Sequence, residues 1–129
     1  MLTADSVGEF SAATIDLLKR ELPAQDCLFS LSAALSLKKI LFKNDGAECG
    51  ALLYEVVESN AHKVFFIGAF VLDAKKAGVV GDEVYRWIED RARALGCDVL
   101  DFDSPRRGML HHAKTYGWQL VNIRYQKRL

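Results

Sequence analysis

Lys63-Val64-Phe65-Phe66-Ile67-Gly68-Ala69-Phe70-Val71-Leu72, followed by Asp73-Ala74-Lys75-Lys76-Ala77-Gly78-Val79-Val80-Gly81, contains the sharpest change of pattern in the chain. Its first half is almost unbroken in apolar residues. A run of this length without polar alternation reads as a strand buried on both faces. Gly68 within it predicts a bulge or a close backbone approach, because glycine otherwise weakens a strand. The second half carries two lysines, and then a helical period takes over. From Val79 to Leu95, Val80, Val84, Trp87, Ile88 and Ala92 recur at helix spacing, with Gly96 as C-cap. A strand that hands over to a helix in this way presents unpaired amides and the positive end of the helix dipole at one place, where phosphate groups bind. Lys75 and Lys76 would add charge to the same anion. The plainer alternative is a solvated loop before an ordinary helix.

Upstream, Lys39 to Lys43 reads as a short strand ending at the hairpin signal Asn44-Asp45-Gly46, and Cys49 to Glu58 as the returning strand. Ser59-Asn60-Ala61 makes the next turn, into Lys63–Leu72. Nearer the start, Ser6-Val7-Gly8-Glu9 has the form of a capping box for a helix carrying Phe10, Ile15, Leu17, Leu18 and Leu22 as far as Pro23. Residues 25 to 37 show both a helical spacing (Leu28, Leu31, Leu35) and a local alternation, and their length favours helix. Downstream, Cys97 to Phe102 reads as a strand, Pro105 to Tyr116 as a helix stopped by Gly117, and Trp118 to Tyr125 as a closing strand. The expected order is helix, helix, a three-stranded meander, helix, strand, helix, strand. A meander followed by a crossover helix implies an α/β fold with a mixed, mostly antiparallel sheet flanked by helices.

The chain has 129 residues, half of them hydrophobic, with no repeat, linker or low-complexity stretch, which predicts one domain over residues 1–129. Seventeen basic and seventeen acidic side chains cancel, so net charge indicates no nucleic-acid partner. Cys27, Cys49 and Cys97 are odd in number and widely spaced; reduced thiols are expected, with neither a disulfide framework nor a zinc site. No apolar run reaches membrane-span length, and Met1-Leu2-Thr3-Ala4-Asp5 lacks the basic start of a signal peptide, so the expected location is the cytoplasm.

The element order, over roughly residues 38 to 129, resembles the GNAT (N-acetyltransferase-related) fold. In that family the central strand leads through a short linker into Arg/Gln-x-x-Gly-x-Gly/Ala, which opens a helix. Lys76 falls at the Arg/Gln position, Val79 at the first glycine and Gly81 at the second, with Ala77 and Gly78 between. The resemblance implies acetyl-coenzyme A as cofactor, its pyrophosphate held by Lys76, Ala77, Gly78, Val79 and Gly81, and its pantetheine aligned on the strand at Phe70 and Val71. It implies direct attack of an amine, on a small molecule or a protein, upon the thioester. Three positions depart from the family. Val79 replaces a glycine, Arg106 stands where an asparagine is common, and Ala113 occupies the place of the tyrosine that protonates the departing thiolate. Leu100-Asp101-Phe102-Asp103-Ser104-Pro105-Arg106-Arg107-Gly108, with Lys114-x-x-Gly117-Trp118 and Tyr125-x-Lys127-x-Leu129, also resembles small GNAT-like proteins of tailed bacteriophages. That likeness implies an alternative role: a catalytically silent module binding phage virion or assembly proteins.

Three residues are candidates for acid–base work. Asp101 alternates with Asp103 along a strand and its exit, placing both on one side, where they activate an amine or merely edge the sheet. His112 is a candidate base, since imidazole titrates near neutral pH. Its neighbour His111 points about 100 degrees away on a helix, so the pair does not make a metal site. Tyr116 is a candidate replacement acid, with core packing beside Trp118 as its alternative. Arg106-Arg107 oppose a helix dipole and so suggest an anionic partner or simple exposure.

Overall fold

The computed structural model of the chain describes residues 1–21, 35–73, 75, 81–102, 117 and 127. The elements are β1 (Leu2–Val7), α1 (Ala12–Glu21), β2 (Lys38–Asn44), β3 (Ala47–Ser59), β4 (His62–Leu72), α2 (Gly81–Ala94) and β5 (Val99–Phe102). The five strands form one sheet in the order β1-β2-β3-β4-β5. The first four run antiparallel to their neighbours, and β5 returns parallel to β4. The helix expected at Pro105–Tyr116, the strand at Trp118–Tyr125 and residues 25–34 lie outside the described residues; 35 to 37 form a turn and bend leading into β2.

Local chemistry accounts for the meander. Asp45 (φ 51°) and Gly46 (φ 82°) form a two-residue loop, and Asn44 pairs directly with Ala47 across it. Left-handed φ at both central positions matches the twist of the flanking strands. The β3–β4 loop repeats the device with Asn60 (φ 50°) and Ala61 (φ 66°), so an alanine Cβ occupies a conformation that usually falls to glycine or asparagine.

The apolar residues divide between two faces. Ile40, Phe42, Leu52, Tyr54, Phe65 and Ile67 pack with Val84, Ile88 and Ala92 of α2. Leu41, Leu53, Ala69 and Val71 pack with Leu17 and Leu18 of α1. The long apolar run of β4 therefore feeds both clusters. Helix α2 closes as the glycine at 96 predicts. Gly96 (φ 80°) donates to the Arg93 carbonyl at 2.9 Å and Cys97 to the Ala92 carbonyl at 2.9 Å, the paired bonds of a Schellman end.

The start of the chain corrects the capping-box reading. Ser6 lies in β1 and pairs with Ile40, because the free edge of β2 accepts Leu2–Val7 as a further strand. The cap of α1 is Ser11, whose Oγ accepts the Thr14 amide at 3.3 Å. Glu48 of β3 completes the arrangement, accepting from Ser11 Oγ at 2.6 Å and from the buried Thr14 hydroxyl at 2.9 Å. β5 begins two residues later than expected and presents Val99 and Asp101 to solvent, while Cys97 is buried ahead of it.

Candidate functional site

β5 pairs only with the first half of β4, from Val64 opposite Val99 to Ile67 opposite Phe102. A bulge follows at once. Leu53 faces Ala69 while its neighbour Tyr54 faces Ile67, so Gly68 is the extra residue, as its place in the sequence predicts. The bulge reverses the alternation of side chains. Phe65 and Ile67 belong to the α2-side cluster, whereas Ala69 and Val71 belong to the α1-side cluster. Phe70 and Leu72, half-buried, now turn towards α2.

Main-chain direction matters most here. The Asp73 amide donates to the Cys49 carbonyl at 2.8 Å, and the Val71 carbonyl lies 2.7 Å from where a Cβ on Gly50 would stand. Both residues thus aim their polar groups at β3. Strand geometry turns the amides and carbonyls of Phe70 and Leu72 the opposite way, towards the β5 side. No described residue pairs with 68–72 on that side. Among the described residues the two strands consequently open a cleft whose apex lies at Gly68, and the hydrogen-bonding groups along this wall of β4 have no described partner.

An aromatic cluster holds α2 against the far end of that wall. Phe42 meets Trp87 at 5.3 Å between centroids and Phe70 at 6.3 Å, both nearly perpendicular, and Phe70 meets Tyr85 at 5.9 Å. Val84 and Ile88 are buried beneath. Gly81, the first residue of α2, therefore sits one turn from side chains locked to the end of β4. Burial raises the Tyr85 phenol above its ordinary value, so it stays protonated and able to donate. At the handover, Asp73 Oδ1 accepts the Lys75 amide at 3.1 Å, and the Lys75 side chain is exposed. Burial, and then the nearby Asp73 carboxylate, push the Cys49 thiol up. Asp82 and Glu83 stand in the first turn of α2, where carboxylates suit the dipole but oppose an incoming anion.

Of the residues expected to bind the cofactor, Phe70, Val71 and Gly81 are described, and the bulge and the aromatic cluster bring the strand and the helix start together. Val71 is buried on the α1 side, and its main-chain carbonyl faces β3, not the cleft. Lys76, Ala77, Gly78 and Val79 lie outside the described residues. Asp101 is exposed on β5 opposite Phe66, one pair before the apex. Leu100 and Phe102 pack on the α2 side, which turns Asp101 to the α1 side. His112 and Tyr116 lie outside the described residues. Cys49 and Cys97 are free and buried, and no group of three metal-ligating side chains gathers among the described residues.

Two residues at the cleft escape a reading of the sequence. Tyr85 falls between the periodic positions Val84 and Ile88, and only its contact with Phe70 marks it. Leu37, just before β2, places Cδ1 in the space that a Cβ on Gly68 would need. At the opposite end of the β4–β5 pair, His62 Nδ1 meets Asp98 Oδ2 at 2.7 Å, and Asp98 exchanges 2.9 Å bonds with the Lys63 main chain. The His62 bond, followed by the Lys63 amide, holds the Asp98 carboxyl below its ordinary value.

No protein-family model and no curated protein sequence matches the chain. Its fold, in contrast, is shared with solved acetyltransferases. A Trypanosoma brucei acetyltransferase superposes with a TM-score of 0.69 at 17% identity, with 100% of each chain covered. A ribosomal-protein-alanine N-acetyltransferase from Brucella melitensis biovar Abortus 2308 gives 0.74 at 12% identity over 99% of each chain. AAC(6')-Iy, in complex with the bisubstrate analogue CoA-S-monomethyl-acetylneamine, gives 0.64 at 14% identity, covering 100% of this chain and 99% of that one. The chain thus has the α/β GNAT fold expected from its order of elements, and these three structural neighbours are acetyltransferases. Among the described residues no helix is long and apolar enough to cross a membrane.

Proposed function

We propose that the chain is an acyl-coenzyme A-dependent N-acyltransferase of the cytoplasm, with acetyl-coenzyme A as donor and an amine of a small molecule or protein as acceptor. The observation that carries this reading is the half of β4 beyond Gly68, which has no described partner on its β5 side. Its Phe70 and Leu72 main-chain groups face a cleft, with the helix start at Gly81 fixed at the same end of the strand. In this reading the residues before Gly81, with Lys76, Ala77, Gly78 and Val79 among them, meet the pyrophosphate through backbone amides and the Lys76 charge. The pantetheine runs back along Phe70 and Leu72 towards Gly68. The coenzyme in AAC(6')-Iy's bisubstrate analogue supports the choice of cofactor class.

The reaction needs little from the protein beyond positioning and proton handling. The amine lone pair attacks the thioester carbonyl carbon, the C–N bond forms, the C–S bond breaks, and coenzyme A leaves as thiolate. Asp101 takes the proton that the amine gives up, and His112 shares that work. Tyr116 supplies the proton that converts the thiolate to thiol. The polar groups of Phe70 and Leu72 hold the pantetheine while the carbonyl is attacked.

Isothermal titration of the full chain with acetyl-coenzyme A, paired with a thermal melt, tests the proposal. Binding should be measurable, Lys76→Ala should weaken it several-fold, and Gly81→Val should abolish it by placing a branched side chain against the phosphate. A melting temperature unmoved by millimolar acetyl-coenzyme A would remove the enzyme reading. The second reading, a silent module that binds partner proteins such as those of a phage virion, draws on Val79, Arg106 and Ala113, and on the two carboxylates in the first turn of α2. Unmoved melting together with co-purification of a virion protein would favour it.

A further inference from the structure

We propose that Leu37 limits the length of the acyl group the cleft accepts, so that the donor is an acyl-coenzyme A with a two-carbon acyl chain. The inference rests on the coenzyme reading above and adds to it a specificity residue that lies outside the family motif.

The argument begins with direction. If the phosphates lie at the start of α2, beside the open end of β4, the thiol end of the coenzyme lies towards the apex. Leu72 to Gly68 is four residues, about 13 Å of strand at roughly 3.3 Å per residue. The thioester and its acyl group therefore arrive where β4 and β5 close together, at Gly68 beside the Ile67–Phe102 pair. Three groups bound that apex. Ile67 and Phe102 belong to the paired region and pack on the α2 side. On the α1 side stands Leu37, packed against the cluster containing Leu53, Ala69 and Val71. Its Cδ1 fills the hollow left by the missing side chain of Gly68, and the Leu53 carbonyl lies 3.6 Å from that same point.

The bulge and Leu37 form one device. A bulge with a side chain at residue 68 would exclude Leu37, and a glycine without Leu37 would leave a small apolar hollow at the apex. Leu37 is also held in place: its carbonyl accepts the Lys39 ammonium at 3.2 Å, which ties the bend before β2 to the strand. A hollow already filled by a held isobutyl group takes no further methylenes from a ligand, and one surplus methylene in a closed apolar pocket typically costs about tenfold or more in selectivity.

Titration of the full chain with coenzyme A, acetyl-coenzyme A and butyryl-coenzyme A reads this directly and needs no acceptor. The wild-type protein should bind the butyryl form at least about tenfold more weakly than the acetyl form. Leu37→Ala should remove that gap or reverse it while leaving coenzyme A affinity unchanged. Leu37→Val should fall between, and carries the test if the alanine variant does not fold. If coenzyme A binds but the butyryl-to-acetyl ratio is the same in all three proteins, Leu37 is not the limit, and the coenzyme reading stands without it. If Leu37→Ala weakens all three ligands equally, the residue only supports the fold and the proposal fails. If none of the three binds the wild-type protein, both readings fall together.

Discussion

The two halves of β4 belong to one strand yet solve different problems. From Val64 to Ile67 it has partners on both sides, β3 and β5, and just before them a clamp of the His62 side chain, the Lys63 main chain and Asp98. Beyond the bulge at Gly68, from Ala69 to Leu72, β3 is its partner among the described residues, and its other side faces the cleft. Buried apolar residues line both halves, so hydrophobicity does not separate them. The difference is in main-chain hydrogen bonding. A paired strand spends its donors and acceptors on stability, whereas an unpaired one keeps them for a ligand. One inserted residue, Gly68, makes the change, and the same insertion swaps which side chains face α2.

If this division is real, mutations in the halves should separate stability from binding. Phe65→Ala should have the largest effect. The ring is fully buried and stacked on Tyr54 at 4.6 Å, so its loss should cost about 3–5 kcal/mol in urea unfolding. The protein that remains folded should keep its affinity for coenzyme A. Gly50→Ala acts on the open half. A Cβ there would stand 2.7 Å from the Val71 carbonyl and 2.6 Å from Leu72 Cδ2, so backbone as well as side chain must move, at about 1–3 kcal/mol. Because the displaced residues lie beside the cleft wall, coenzyme A binding should weaken as well. Affinity losses that merely track stability losses in both variants would erase the distinction between the halves.

The parts of this arrangement that were readable in advance are local ones. Asp45-Gly46 and Asn60-Ala61 announce their turns through residues before and around them, β4 through its apolar run, and the end of α2 through Gly96. Gly68 announced a bulge because a glycine in a buried strand needs a reason. The failures are contacts between distant segments. β1 presents only Leu2 and Ala4 to the α2-side cluster, and what makes it a strand is the free edge of β2. Ser6-Val7-Gly8-Glu9 satisfies the capping pattern, yet the acidic partner of the true cap, Ser11, is Glu48, 37 residues away. Leu37 at Gly68 is of the same kind: neither residue carries a local signal of the other. At the site, the glycine and the helix start were legible, whereas Tyr85 and Leu37 became visible only through what they touch.

The clamp at the closed end gives the smallest effect and the sharpest sign. Asp98 has its folded-state pKa depressed below the ordinary value of 3.8, chiefly by the His62 hydrogen bond. A depressed carboxylate contributes stability that is fully present above the unfolded value and is lost as pH falls through the folded one. The relevant window therefore runs from about pH 4 downwards, and not through neutrality. Asp98→Asn keeps an oxygen able to accept the Lys63 amide but removes the charge, so it should flatten the acid limb of stability measured by urea unfolding. Above that window the two proteins should run parallel. With the His62 and Asp98 side chains 58% and 54% exposed, the effect should shrink further in added salt. Coenzyme A affinity at neutral pH should not change, since the clamp lies at the end of the β4–β5 pair away from the cleft. An acid limb identical in the two proteins would show that pairing with β5 closes this half without help from the charges.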